Sequence, residues 1–123
     1  MSPVPFEVES EELEDGIRTF TVRGELDMNT APELEQKLDE ALAESDASIM
    51  LDLSECEFID STGIALIVRT WQRLERVEGE GQGGRLVLCS HNHQVRRLLK
   101  ITGVESSISM HEQRDAALAE LRG

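Results

Sequence analysis

Apolar and charged residues alternate in two segments near the start of the chain, on either side of the turn signal Asp15-Gly16. Alternation with a period of two is typical of a strand that is buried on one face only. Two such strands separated by a short turn predict a β-hairpin. The apolar positions that carry the pattern are Phe6, Val8, Phe20 and Val22.

A helical pattern and a buried strand follow the hairpin. Asn29 or Thr30 is a candidate N-cap, Pro32 suits a first helical turn, and apolar residues recur at a helical spacing up to position 42, which predicts an amphipathic helix. The stretch 48–54, SIMLDLS, is short and nearly continuously apolar, with Asp52 as its one charged member. This pattern predicts a central strand covered on both faces.

The second half of the chain repeats the alternation of helix and strand. A helix is predicted from about Ser61, a short apolar strand over 85–90, a helix from a cap at Asn92 to Gly103, a last strand over 107–110 and a closing helix over 115–121. The order β-β-α-β-α-β-α-β-α favours an α/β fold. We predict one domain over residues 5–122, with a mixed four- to five-stranded sheet, an opening antiparallel hairpin and about four α-helices.

The net negative charge of the chain limits the kinds of partner that we expect it to bind. The chain has 123 residues, with 25 acidic against 12 basic side chains and a formal net charge of −13. Such a surface repels phosphate backbones and anionic headgroups, so neither nucleic acid nor membrane is expected as a partner. The apolar stretches are too short to span a membrane, and the N-terminus lacks a signal-peptide pattern. We expect a cytoplasmic protein in which Cys56 and Cys89 are reduced thiols.

Two motifs outside the central segment have structural explanations. Cys89, His91 and His93 form a C-x-H-x-H pattern, but no fourth ligand lies nearby in the sequence, so a polar loop is predicted and no metal site. The glycine-rich run 79–84 follows a helix and lacks the Gly-Lys-Ser/Thr of a phosphate-binding loop; it is interpreted as a flexible connector.

Two further positions carry side chains that occur in functional sites. Glu25 and Asp27 are a possible carboxylate pair for acid-base chemistry, yet they flank a helix start, where acidic side chains are favoured by the helix dipole. Helix capping is the interpretation we adopt for them. Trp71 lies at helical spacing with Ile64 and Ile67, which predicts a core position.

The segment FIDSTGIA, residues 58–65, places Ser61 where an apolar run changes to a helical pattern. If the helix begins at Asp60 or Ser61, unpaired N–H groups and the positive end of the helix dipole favour a phosphoryl group at this hydroxyl. The alternative is a simple N-cap and its turn. A hydrolase nucleophile is disfavoured, because the residue two before Ser61 is Ile59 rather than glycine and no histidine is tied to Ser61 by spacing.

The segment LDLSECEFIDSTGIALIV, residues 51–68, resembles the signature of anti-sigma factor antagonists, the single-domain members of the STAS superfamily. GELDMNTAPEL, residues 24–34, is similar to the segment after the second strand of the same proteins. The resemblance extends from about Phe6 to Leu121. It departs from the family at Ala65, where many members have a second glycine.

The resemblance implies a regulatory switch rather than an enzyme. The unphosphorylated antagonist is expected to bind an anti-sigma factor that is also a serine kinase, and so to release the sigma factor. Ser61 matches the phosphoacceptor, and phosphorylation there is expected to end binding. The implied partner-binding residues are Asp27, Asn29, Asp60, Ser61, Thr62 and Gly63.

The same resemblance implies which molecules act on the chain. The kinase partner supplies ATP and magnesium, a metal-dependent serine/threonine phosphatase reverses the modification, and the antagonist itself needs no cofactor. A second reading stays open: a STAS module that regulates a transporter or signalling complex, or binds a ligand there, without phosphorylation.

Overall fold

The structure is a computed structural model that describes residues 4–13, 15–43, 48–75 and 84–123. Within these ranges the chain forms one five-stranded sheet and five helices. The elements are β1 (Glu7–Glu12), β2 (Ile17–Leu26), α1 (Ala31–Leu42), β3 (Ser48–Ile59), α2 (Ser61–Glu75), β4 (Leu86–Cys89), α3 (His93–Ile101), α4 (Val104–Ser107), β5 (Met110–His111) and α5 (Arg114–Arg122). The predicted glycine connector, except for Gly84, lies outside the described residues.

The strands follow one another across the sheet in the order β1-β2-β3-β4-β5. β1 and β2 pair antiparallel, whereas the other neighbouring strands pair parallel. The turn between β1 and β2 contains Gly16 with a φ of 84°, a left-handed conformation that glycine adopts without a Cβ clash. The predicted α/β class, the mixed sheet and the opening hairpin are all confirmed.

Helices cover both faces of the sheet, unequally. The main core joins β1 to β4 with α1, α2 and α3, and its fully buried members include Leu34, Leu51 and Leu88. A smaller cluster on the other face contains Met50, Val87 and Cys89 beneath Ala117 of α5. Residues 49–53 are therefore buried on both faces, as the nearly continuous apolar run predicts. Trp71 packs partly buried against the main core, which confirms its predicted position.

β3 continues five residues beyond the predicted end at Ser54. The register between β2 and β3 shifts twice. Leu53 and Ser54 together lie opposite the single residue Val22, and Glu57 is an extra residue between the pairs of Cys56 and Phe58. Each shift is a β-bulge, which inserts one residue and changes the period of the buried positions. The buried side chains after Leu53 are Cys56 and Ile59, three residues apart, and a strict alternation does not detect them.

The last strand begins at Met110, three residues later than predicted, and is shorter. Gly103 ends α3 with a φ of 84°, and the chain then forms the one-turn helix α4 instead of a strand over 107–110. β5 begins only at Met110 and has two residues, which pair with Leu88 and Cys89. Ile108 supplies the buried apolar side chain of this segment, so its burial reflects core packing between α4 and β5 rather than strand pairing.

Both cysteines are buried and free, as predicted. Burial raises the pKa of the Cys56 thiol. Burial, assisted by the negative charge of Asp52, raises the pKa of the Cys89 thiol to about 11. Both thiols are therefore protonated and poorly nucleophilic at neutral pH.

Candidate functional site

The site lies where two parallel strands end side by side. Leu26, the last residue of β2, pairs in register with Ile59, the last residue of β3. The Asp60 N–H donates a hydrogen bond of 3.1 Å to the Leu26 carbonyl, so the turns that follow the two strands are tied together. We call the surface formed by residues 25–30 and 57–63 the β2–β3 edge. All of the predicted partner-binding residues lie on this edge.

Asp27 organises the first of these turns. One carboxylate oxygen, Oδ1, accepts hydrogen bonds from the N–H groups of Asn29 at 2.9 Å and Thr30 at 3.1 Å. Thr30 occupies the N-cap position of α1, but its side chain does not cap the helix; its hydroxyl donates to the Glu25 carbonyl instead, at 2.7 Å. Thr30 is therefore the N-cap residue by position, as one of the two predicted candidates, although its side chain makes no capping bond. Asp27 orders the turn before α1 rather than capping the helix itself.

Asp60 caps the helix at the start of α2. Its Oδ1 accepts hydrogen bonds from the Thr62 N–H at 2.9 Å and the Gly63 N–H at 3.1 Å. Its main-chain carbonyl accepts the first helical bond, from the Ile64 N–H at 3.0 Å. The helix begins at Ser61, within the predicted range. However, Asp60 already occupies two of the first-turn N–H groups that the sequence suggested were open to a phosphoryl group.

Ser61 is the first residue of α2 and is exposed to solvent. Within the described part of the chain, its hydroxyl takes part in no hydrogen bond, whereas the Thr62 side chain beside it is partly buried. The Ser61 oxygen is thus accessible to an external reagent. This is the geometry that a phosphoacceptor needs, and it also fits a helix start that carries no modification.

Gly63 fixes the close packing beneath the serine. A Cβ atom at this position would lie 2.8 Å from Ile59 Cγ1, 2.8 Å from Leu26 Cγ and 3.0 Å from the Leu26 carbonyl oxygen. These distances are shorter than van der Waals contact, so only glycine allows the first turn of α2 to sit against the ends of β2 and β3. Ala65, where the sequence departs from the family, is exposed, so its methyl group is accommodated at the surface.

The β2–β3 edge is acidic and carries no counter-charge from the described residues. Eight arginines form ion pairs elsewhere: Arg18, Arg23, Arg69, Arg73, Arg85, Arg96, Arg114 and Arg122. Four carboxylates of the edge have no ion-pair partner in the described ranges; they belong to Glu25, Asp27, Glu57 and Asp60. Negative charge at this edge is therefore left for solvent or a partner to neutralise.

Two apolar side chains at the edge were missed by the sequence analysis. Met28 is 70% exposed and Phe58 is 45% exposed. Phe58 precedes the last buried residue of β3, where the bulge at Glu57 interrupts the alternation of the strand. The interrupted alternation is the signal that could have identified Phe58, because a bulge turns the side chain beside it away from the core.

The Cys-x-His-x-His pattern is dispersed in space. Cys89 is buried in β4, whereas His91 and His93 are exposed in the loop and at the start of α3. Among the residues with a described position, no three histidine, cysteine, aspartate or glutamate side chains are grouped as a metal site requires. The His91 N–H donates to the Ser54 hydroxyl at 3.2 Å, and Asn92 caps α3 through Oδ1, which accords with a polar loop.

Fold and site together define a small α/β domain. At the carboxyl ends of two parallel strands it exposes Ser61, the first residue of a helix that Asp60 caps. The chain belongs to the STAS domain family, whose model matches residues 10–117. It is 34% identical over 89 residues to the anti-sigma-B factor antagonist of Bacillus subtilis, covering 72% of this chain and 76% of the relative.

Solved structures of similar proteins extend the likeness over most of the chain. An anti-sigma factor antagonist from Mycobacterium paratuberculosis has a TM-score of 0.80 and 29% identity, covering 98% of this chain and 95% of the other. The phosphorylated form of the Bacillus cell fate determinant SpoIIAA has a TM-score of 0.70 and 20% identity, covering 94% and 100% of the two chains, a likeness that concerns the fold. The resemblance seen in the sequence is confirmed.

None of the helices in the described ranges has both the length and the apolar character that a membrane span requires.

Proposed function

We propose that this chain is an anti-sigma factor antagonist whose binding is switched by phosphorylation at Ser61. The unphosphorylated form binds an anti-sigma factor with serine kinase activity, and this binding releases the sigma factor. The observation that carries the proposal is the Ser61 hydroxyl at the start of α2, which is exposed and makes no hydrogen bond with any described residue. It lies on an edge whose carboxylates have no described cationic partner. The names of the curated relatives support the regulatory role.

The other predicted residues shape the surface around that hydroxyl. Asp27 and Asp60 each hold a turn by accepting two main-chain N–H groups, so the two turns are already ordered before a partner binds. Asn29 is exposed and Thr62 partly so, which leaves both available for contact. Preorganised turns lower the conformational entropy that binding would otherwise cost.

Phosphorylation changes the charge of this surface more than its shape. A phosphoserine adds about −1.5 to −2 charge units at neutral pH. Because the Asp60 carboxylate already accepts the N–H groups of Thr62 and Gly63, the helix start offers the new anion little compensation, and it lies beside another negative charge. The phosphoryl group then faces the nucleotide phosphates that a kinase must hold opposite Ser61. Repulsion of only about 1.4 kcal/mol weakens binding tenfold.

The reaction partners follow from the chemistry of the switch. A serine hydroxyl takes the γ-phosphoryl group of ATP, which the kinase binds with magnesium. The antagonist contributes the acceptor and needs no cofactor of its own for this role. A metal-dependent serine/threonine phosphatase would hydrolyse the phosphoserine and restore the binding form.

The test compares variants of the serine in binding to the anti-sigma factor kinase of the same organism. Ser61→Ala is expected to bind permanently, and Ser61→Asp to bind at least tenfold more weakly, because the carboxylate repeats part of the phosphoryl charge. Ser106→Asp is the matched control, since Ser106 is exposed in α4, and it should bind like the unmodified chain. Equal binding by Ser61→Ala and Ser61→Asp would refute the switch.

Incubation with the same kinase and ATP tests the acceptor directly. Mass spectrometry of the product should find one phosphoryl group on Ser61 and none on the Ser61→Ala variant. A phosphoryl group on Thr62 in place of Ser61 would move the switch to the neighbouring hydroxyl and contradict the assignment.

A further inference from the structure

Exposed apolar side chains are unevenly distributed over the described surface. Large apolar residues that are more than a third exposed number four in the described ranges: Val4, Met28, Phe58 and Ile101. Met28 and Phe58 belong to the β2–β3 edge. Ile101 ends α3, a helix that starts at the carboxyl end of β4, so it lies toward the opposite end of the sheet. Two of these four exposed apolar side chains therefore lie at the edge that carries Ser61.

The exposure of Phe58 depends on an irregularity in the backbone. Phe58 pairs in register with Glu25, and the bulged residue Glu57 precedes it. The next pair along, Leu26 and Ile59, is buried in the main core. Because successive side chains on a strand alternate between faces, Phe58 and Glu25 project together to the other face. The bulge thus sets an aromatic side chain outside the core, beside a carboxylate.

Two carboxylates flank Phe58: Glu25 is its partner on β2, and Glu57 precedes it on β3. Glu25 and Glu57 are exposed, and neither forms an ion pair with another residue in the described ranges. Interfaces are commonly built from a central aromatic or aliphatic anchor with charged groups at the rim. A rim of this sign favours a partner with lysine or arginine side chains at the matching positions.

We infer that Met28 and Phe58 are the apolar anchors of the complex with the anti-sigma factor, and that Glu25 and Glu57 pair with basic residues around an apolar socket on that partner. This inference rests on the proposed function. The basic residues lie at the rim, away from Ser61, whose hydroxyl faces the nucleotide phosphates. Attraction at the rim and repulsion at a phosphorylated Ser61 therefore act at different places on one interface.

The test measures the dissociation constant for the anti-sigma factor kinase of the same organism, loaded with a non-hydrolysable ATP analogue so that Ser61 stays unmodified. Phe58→Ser is expected to weaken binding tenfold or more, and Met28→Ser several-fold. Ile101→Ser is the matched control, because Ile101 is 73% exposed, and it should stay within about twofold of the unsubstituted chain. Thermal unfolding of each variant checks that the fold is intact.

The charged rim is tested by salt. Raising sodium chloride should weaken binding of the unsubstituted chain more steeply than binding of the Glu25→Gln/Glu57→Gln variant, because screening acts on charges that the variant lacks. Glu40→Gln is the control, since Glu40 is an exposed acid of α1, and it should keep the original salt dependence.

The outcomes separate the two proposals. If the unsubstituted chain binds and Ser61→Asp does not, while Phe58→Ser and Met28→Ser bind as tightly as Ile101→Ser, the anchor assignment is overturned and the switch stands. An unchanged salt dependence in Glu25→Gln/Glu57→Gln overturns the basic rim. Absence of any binding by the unsubstituted chain overturns the proposed function and this inference with it.

Discussion

Three neighbouring residues give the Ser61 turn its form. Asp60 accepts two N–H groups of the first helical turn, Gly63 allows that turn to contact Leu26 and Ile59, and Ser61 between them stays exposed. The hydroxyl is therefore held at the surface by packing below it and by a cap before it. A site that depends on such close packing is sensitive to a single added methyl group.

Gly63→Ala is expected to destabilise the fold by about 1–3 kcal/mol, the usual cost of overpacking a close-packed interior. The added Cβ would lie 2.8 Å from side-chain carbons of Leu26 and Ile59, and the ends of two strands would have to move apart. Urea denaturation measures the effect. Ser61→Ala is the control and should change the free energy of unfolding little, because the hydroxyl is exposed and unbonded within the described residues. A Gly63→Ala protein as stable as Ser61→Ala would show that the packing is looser than described.

For these residues, the sequence predicted the position of Ser61 but not which side chain binds the first-turn N–H groups of α2. A Ser-Thr-Gly segment after an apolar run indicates a helix start. Which side chain satisfies the free N–H groups depends on the backbone angles of the turn, and these are set by the contact between Asp60 and Leu26 in the neighbouring strand. That contact is separated by more than thirty residues in sequence and leaves no local pattern.

Helix α5 is attached to the sheet by a small apolar contact and a few polar contacts. Ala117 packs with Met50, Val87 and Cys89, and Arg114 donates a hydrogen bond of 3.0 Å to the carboxylate of Asp52, which is only 6% exposed. Local opening favours elements with few buried apolar contacts. Release of α5 would expose Cys89, whereas Cys56 is part of the larger core on the other face.

Thiol alkylation therefore reports the opening of α5. At pH 8 Cys89 in the folded chain should react about a hundredfold more slowly than an exposed cysteine, because burial raises its pKa to about 11. Burial also raises the pKa of Cys56, so this thiol should react slowly as well. The rate should increase as the pH rises toward these pKa values, since only the thiolate reacts. Arg114→Ala should accelerate alkylation of Cys89 and leave Cys56 unchanged. Equal acceleration at both cysteines would indicate global unfolding rather than opening of α5.

The sequence predicted elements best where their hydrophobic period was regular. β2, α1, α2 and α3 follow clear periods of two or about 3.6 residues, and the structure confirms them. β3 was predicted too short because two bulges disrupt its period, and β5 was predicted to begin three residues too early because two paired residues are too few to produce a pattern. Elements whose position depends on neighbouring strands are the ones that local sequence does not specify.

For the whole molecule, the net charge of −13 is partly offset by ion pairs at some positions and left unpaired at others. Arginines on the sheet and helices are matched with carboxylates, as in the pairs of Arg23 with Glu9 and Glu55. The β2–β3 edge keeps its carboxylates unmatched within the described ranges. Composition alone indicated an acidic protein that avoids nucleic acid and membrane surfaces. The resemblance supplied the family, and only the fold showed that four carboxylates without a described ion pair lie around Ser61.

The most direct measurement is calorimetric titration of the anti-sigma factor kinase, in the presence of a non-hydrolysable ATP analogue, with two forms of the antagonist. One form is unmodified and the other is quantitatively phosphorylated on Ser61, with circular dichroism used to verify that both have the same fold. We predict that phosphorylation raises the dissociation constant tenfold or more without altering the spectrum. Equal dissociation constants for the two correctly folded forms would contradict the account.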